Sequence, residues 1–187
     1  MSALVTLDRI SKNFGALKAI DNLSLSLEAG GALGILGPNG AGKTTLFNLI
    51  GGDLTPDSGR VVLDGRDITP LPPHQRCRAG IGRSYQIPHP FSGMTVFENL
   101  LVAAIFGGKQ TEARAASASM EILDLFGLAA RANQLAGTLT LLDRKRLELA
   151  RAVATSPRLL LLDEIAAGLT DHEAVQVVDA IKTLRAR

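Results

Sequence analysis

Nine residues carry the clearest chemistry in this chain: Gly37, Pro38, Asn39, Gly40, Ala41, Gly42, Lys43, Thr44 and Thr45. Their order fits the pattern G-x-x-x-x-G-K-[ST], a loop that cradles phosphate. Glycines let the backbone turn through positive φ and approach a ligand closely. Successive amide N–H groups then aim at phosphate oxygens, and the helix that follows adds its positive end. Lys43 would reach the outer phosphates, and Thr44 would hold Mg²⁺ through its hydroxyl. The glycines at 37, 40 and 42 do not fit the dinucleotide pattern G-x-G-x-x-G.

A second group lies far downstream. Leu159–Leu162 is a short apolar run that leads into Asp163 and Glu164. Such a run suits a strand covered on both faces, delivering carboxylates to its C-terminal end, where open α/β sheets bind ligands. Asp163 would orient Mg²⁺ or its water. Glu164 would polarise the water that attacks the outermost phosphate.

Elements must place these residues. Ala32–Leu36 reads as a buried strand before the loop, and Thr44–Ile50 as the helix after it. Leu4–Ile10 and Ala19–Leu27 alternate as strands, the latter with Leu23, Leu25 and Leu27 on one face. Phe14 sits between them, either stacking on a base or packing as an ordinary turn aromatic. Arg60–Asp64 reads as a strand, Gly65–Asp67 as a turn, and a short polar helix follows Pro73. Ile81–Tyr85 is a strand with Gln86 at its end. From Pro88 the character becomes helical: Thr95–Phe106, Thr111–Phe126 and Leu142–Ala154, the last with Arg144, Glu148 and Arg151 spaced for helical ion pairs. Asp171–Arg187 is amphipathic, with Ala174, Val178, Ile181 and Leu184 on one side. These elements predict an α/β protein with a nucleotide-binding core (1–87 and 157–187) and an inserted helical subdomain (88–156).

Composition narrows the function classes. The 187 residues are 46% hydrophobic, enough for a full core. Twenty basic and eighteen acidic residues leave a net charge of +2. That makes no electrostatic case for nucleic acid. One cysteine, Cys77, excludes an intrachain disulfide. His74, His89 and His172 read as surface or loop residues. The N-terminus has no basic segment followed by an apolar one, and no apolar run is long enough to span a membrane. An intracellular protein is expected, reaching a membrane only through a partner.

The chain resembles the ATP-binding subunits of ABC transporters, in order and over nearly its whole length. The resemblance rests on Phe14, GPNGAGKTT at 37–45, Gln86 within SYQIPHPF, LDRKRLELARA at 142–152, LLLLDE at 159–164 and AGLT at 167–170. It implies a P-loop NTPase (RecA-like) core sheet with an N-terminal antiparallel β region and an α-helical subdomain. It also implies ATP and Mg²⁺ as ligands: Phe14 stacks on adenine, Gly37–Thr45 holds the phosphates, and Thr44, Gln86 and Asp163 stand around the metal. Lys43, Gln86 and Glu164 would be catalytic, and Thr140 would touch ATP held by a second subunit. The implied partners are a second copy or a paralogous ATPase, and transmembrane permease subunits, at the cytoplasmic face of the cell membrane. IGRSYQIPHPFSGMTVFENLLVA at 81–103 further resembles importers of branched-chain amino acids. Phe91, Met94, Val96 and Phe97 either border a groove for the permease or pack the helical core.

Two departures stand out. The family's signature glycines are Leu141 and Leu142 here, followed by Asp143, so altered closure of a two-subunit sandwich is expected. Thr140 and Asp143 still fit a helix capping box. The family also continues beyond Arg187 with further strands, one carrying a switch histidine. A truncated sequence with unpaired backbone at the sheet centre is therefore expected. Two alternatives remain beside the transporter reading: an ATP-binding module with little turnover, and an ABC-type ATPase not tied to transport.

Overall fold

The computed structural model describes residues 3–185. They cluster into two compact units, Met1–Ala79 and Gly80–Arg187.

The first unit is built on an antiparallel sheet. Strands β1 (Ala3–Phe14) and β2 (Leu17–Glu28) pair as a long hairpin. On its other side β1 pairs with β3 (Ser58–Leu63), which pairs with the two-residue β4 (Arg66–Asp67). The order is β2-β1-β3-β4. Alternation explains the sheet's buried side: Val5, Leu7, Val61 and Leu63 are buried. The turn expected over Gly65–Asp67 is tighter than that. Asp64 and Gly65 make the bend, both at positive φ, and Arg66 and Asp67 already belong to the ladder.

Helix α1 (Lys43–Gly51) buries Leu46, Leu49 and Ile50, and ends where Gly52 takes a left-handed conformation. Helix α2 (Pro73–Ala79) sends Arg76 into the interior, where it is 1% exposed. Its guanidinium donates to the Leu49, Ile50, Thr69 and Leu71 carbonyls at 2.6–3.0 Å. Two of these carbonyls lie in the last turn of α1, where helix acceptors lack partners and a cation is favoured.

One expected strand is absent. Residues 32–36 form no strand among the described residues, and Leu36 is 96% exposed. A buried strand needs neighbours for its N–H and C=O groups on both edges. The two sheets give this run no partner. Gly30, Gly31 and Gly34 raise the entropic cost of holding it extended alone.

The second unit carries two parallel strands, β5 (Ile81–Ser84) and β6 (Leu159–Leu162). Its helices are α3 (Val96–Val102), continued by a π-helical turn over Ala103–Gly107, then α4 (Glu112–Leu125), α5 (Leu141–Ala154) and α6 (Asp171–Arg185). Val96, Leu100, Leu123, Leu147 and Val177 form part of one apolar core. A complete capping box starts α3: Glu98 N donates to Thr95 Oγ1, and Thr95 N donates to Glu98. On α6 the inward residues are Ala174, Val177, Ala180 and Ile181, while Val178 is exposed. The expected stripe was thus one residue off at this point. The Leu184 side chain and residues 186–187 lie outside what the structure describes.

Candidate functional site: a phosphate loop and the polar residues at two strand ends

In the first unit, the phosphate loop enters α1 through Gly42, at φ 85°. No side chain caps this helix start, and its first turn has no acidic residue. The free N–H groups and the positive helix end are therefore left for an anion. The loop needs its glycine here. A Cβ on Gly42 would lie 2.6 Å from the Ala19 carbonyl oxygen. Gly40 also has positive φ, 81°, but with open space around it. Lys43 Nζ donates to the Gly37 and Pro38 carbonyls at 2.7 and 2.9 Å. The ammonium thus points back over its own loop, close to where phosphates would sit. Thr44 is exposed and Thr45 half-buried at the helix start. These features fit a nucleotide polyphosphate. Phe14 closes β1 with its ring 47% exposed and Lys12 Nζ 5.9 Å from the ring centroid.

In the second unit, the strand register does the positioning. Ser84 pairs with Leu162, so two residues further on Gln86 and Glu164 emerge side by side. Gln86 Nε2 donates to Glu164 Oε2 at 2.6 Å. Asp163, between strand and Glu164, is buried. Gln86 and Glu164, 78 residues apart, therefore meet where parallel strands end, the usual ligand position in such sheets. Glu164 with the Gln86 amide beside it offers oxygens of the kind Mg²⁺ takes, an ion that keeps several waters. Glu164 has φ 44°, a left-handed conformation that a non-glycine residue keeps only under constraint. Ala167 N donates to the Glu164 carbonyl at 2.9 Å and closes the turn.

Thr140 is engaged elsewhere. Its hydroxyl caps α5, accepting from Asp143 N at 3.2 Å and donating to Asp143 Oδ2 at 2.8 Å. Asp143 is buried and paired with Arg131 and Arg146. Its charge is thereby neutralised locally. Arg144 departs from the expected helical ion pair: it donates to the Leu139 and Gly137 carbonyls and pins the segment before the helix. Glu148 pairs with Arg151 at 3.0 Å. Burial pushes the Glu148 carboxyl above its usual range, opposed by Arg151 and His89.

The four apolar residues after Gln86 divide. Val96 is fully buried and Phe97 packs on the core, whereas Phe91 and Met94 are exposed. Arg151 lies over the Phe91 ring at 4.9 Å and donates to the His89 carbonyl. Asn99, buried, bonds both the N–H and the carbonyl of Phe91. Arg76, Lys145, Glu148 and Asn99 were not picked out in the sequence as buried groups. Only the near-continuous apolar run around Glu148 hinted that α5 is covered on most sides.

The fold and this pair of sites define a P-loop ATPase. The chain matches the ABC transporter family over residues 20–167, and it belongs to that family as an ATP-binding subunit, an ATPase. It is 37% identical to the high-affinity branched-chain amino acid transport ATP-binding protein LivG of Salmonella typhimurium, over 97% of this chain and 77% of LivG. BraF of Pseudomonas aeruginosa, of the same description, is 37% identical over 94% of this chain and 74% of its own length. The lipopolysaccharide export ATP-binding protein LptB of Haemophilus influenzae is 34% identical, over 99% of this chain and 77% of LptB. Among solved structures, an ATP-binding cassette of an ABC transporter in its ADP conformation superposes with a TM-score of 0.87 at 33% identity, covering 100% of this chain and 78% of that one.

Proposed function

We propose that this chain binds Mg·ATP and hydrolyses it to energise a membrane importer, with branched-chain amino acids as the cargo. The observation that carries the hydrolytic part is the Gln86–Glu164 contact at the ends of β5 and β6. Gly37–Thr45 would hold the phosphates, with Lys43 turning from its loop carbonyls toward them. Phe14 would stack on the adenine. Thr44, Gln86 and Asp163 would hold Mg²⁺, whose charge neutralises phosphate oxygens when bound. Glu164 would orient the attacking water and accept its proton. Phosphoryl transfer asks mainly for such positioning and charge neutralisation.

The cargo rests on the likeness to LivG and BraF and on residues 81–103. LptB, named for lipopolysaccharide export, is of similar identity at 34%. The partners would be a second ATPase subunit, identical or paralogous, and a permease docking on exposed Phe91 and Met94. No described helix is long and apolar enough to cross a membrane. Such docking would place the chain at the cytoplasmic face. In working terms, 1–87 with 157–187 would bind nucleotide and 88–156 would form the helical subdomain.

One observation favours a second reading, a module with little turnover. The Thr140 hydroxyl, the candidate for ATP on a partner subunit, is spent on Asp143.

The test is Mg·ATP binding and steady-state hydrolysis of the chain beside Glu164→Gln. The variant should bind ATP at least as tightly and lose roughly 100-fold or more in kcat. Equal turnover of the two would sink the role of Glu164. Binding without turnover by the wild type would favour the second reading.

A further inference from the structure

Helix α5 keeps a lysine in its buried side. Lys145 is 6% exposed, and lysines are seldom buried without a specific partner. Its Nζ donates to the carbonyl of Ile165 at 3.2 Å. Burial pulls its ammonium below the usual lysine range, and the negative charge of Glu164 opposes that shift. The nearby helix carboxylates are taken by arginines, Asp143 by Arg131 and Arg146, and Glu148 by Arg151.

The carbonyl that Lys145 holds belongs to the residue directly after Glu164. Glu164 stands at φ 44°, which surrounding contacts must maintain. A hydrogen bond from a buried cation is such a contact, and it is stronger than one between neutral groups. The start of the same helix also approaches this turn: a Cβ on Gly168 would lie 3.8 Å from the Leu141 side chain.

We infer that Lys145 is a positioning residue for Glu164. It pins the Ile165 carbonyl, and so fixes where the Glu164 carboxylate stands beside Gln86. The inference rests on Glu164 being the hydrolytic carboxylate. It also gives the altered segment at 139–143 a mechanical role. Thr140 caps α5 and Lys145 sits one turn further along, so a displacement of the helix start pulls on the turn that carries Glu164.

The test compares wild type, Lys145→Met, Lys145→Arg and Glu164→Gln by two measurements on the full chain. One is amide hydrogen exchange at Ala167 and Leu169 without nucleotide; the other is steady-state ATP hydrolysis. Lys145→Met should speed exchange at Ala167 roughly tenfold and leave the α4 core protected. It should lower kcat roughly 10- to 100-fold with KM for ATP within about twofold. Lys145→Arg should restore both. Unchanged exchange at Ala167 in Lys145→Met overturns the inference, whatever turnover shows. Lost protection throughout α5 together with a raised KM overturns it too, because that marks a general packing defect. If wild type and Glu164→Gln hydrolyse ATP equally, the reading of Glu164 falls separately, and exchange still decides whether Lys145 holds the turn.

Discussion

Gly42 joins the phosphate loop to α1 at φ 85°, with the Ala19 carbonyl 2.6 Å from where a Cβ would be. Both facts oppose any side chain. Gly42→Ala should cost about 1–3 kcal/mol in stability, from strain and the backbone clash. It should also weaken nucleotide binding at least tenfold, because the amides that face phosphate shift with the loop. Urea unfolding and nucleotide titration check the two effects. Gly40→Ala should cost less, since only its φ of 81° resists the substitution and nothing lies within 4 Å of the new Cβ. A near-equal loss in both variants would mean that the Ala19 contact is unimportant. At this scale Lys43, Asp163 and Glu164 stood out from residue type and spacing as candidates. The partners of Lys145 and Arg76 were not, since a helical lysine or arginine in sequence looks like a solvated one.

Helix α1 has nine residues and carries Lys43 and Thr44 in its first turn. So short a helix has little stability of its own and depends on its packing. Arg76 supplies part of that support through four carbonyls, two of them at the helix end. Arg76→Met keeps the stem but leaves buried acceptors unpaired. It should destabilise the chain by about 3 kcal/mol, seen as a lower urea midpoint. A loss below about 0.5 kcal/mol would show that water or backbone movement satisfies those carbonyls instead. Elements with strong period or punctuation were legible in the sequence, among them α1, β3, β6 and the Thr140 cap of α5. The inward face of α6 was less so, because Val177 and Val178 are equally apolar and only the packed neighbours choose between them.

Across the whole chain, the most apolar stretch near the phosphate loop is also among the most exposed. Leu33 and Leu36 are both exposed in a segment that belongs to no sheet among the described residues. Exposed apolar runs with free backbone groups invite association. Leu36→Ser should therefore change stability by no more than about 0.5 kcal/mol while reducing aggregation, measured by unfolding and light scattering. A loss of about 2–4 kcal/mol, the cost of emptying a buried leucine site, would show that Leu36 packs in a core after all.

The sequence alone determined the chemistry and the family. Gln86 was marked only by the resemblance to the family, while the Gly37–Thr45 loop and the Leu159–Leu162 run into Asp163 and Glu164 are local patterns. Local backbone and side-chain physics suffices to read them. Tertiary structure decided what depends on distant neighbours. The β5–β6 register brought Gln86 within 2.6 Å of Glu164, from 78 residues away. The Thr140–Asp143 cap was local and readable, whereas packing of α5 sent Lys145 to the Ile165 carbonyl. Among the described residues no strand pairs with residues 32–36, which stay outside both sheets despite their strand-like composition. Hydrogen-bond partners and burial are properties of the assembled chain, so one segment's residue types do not specify them.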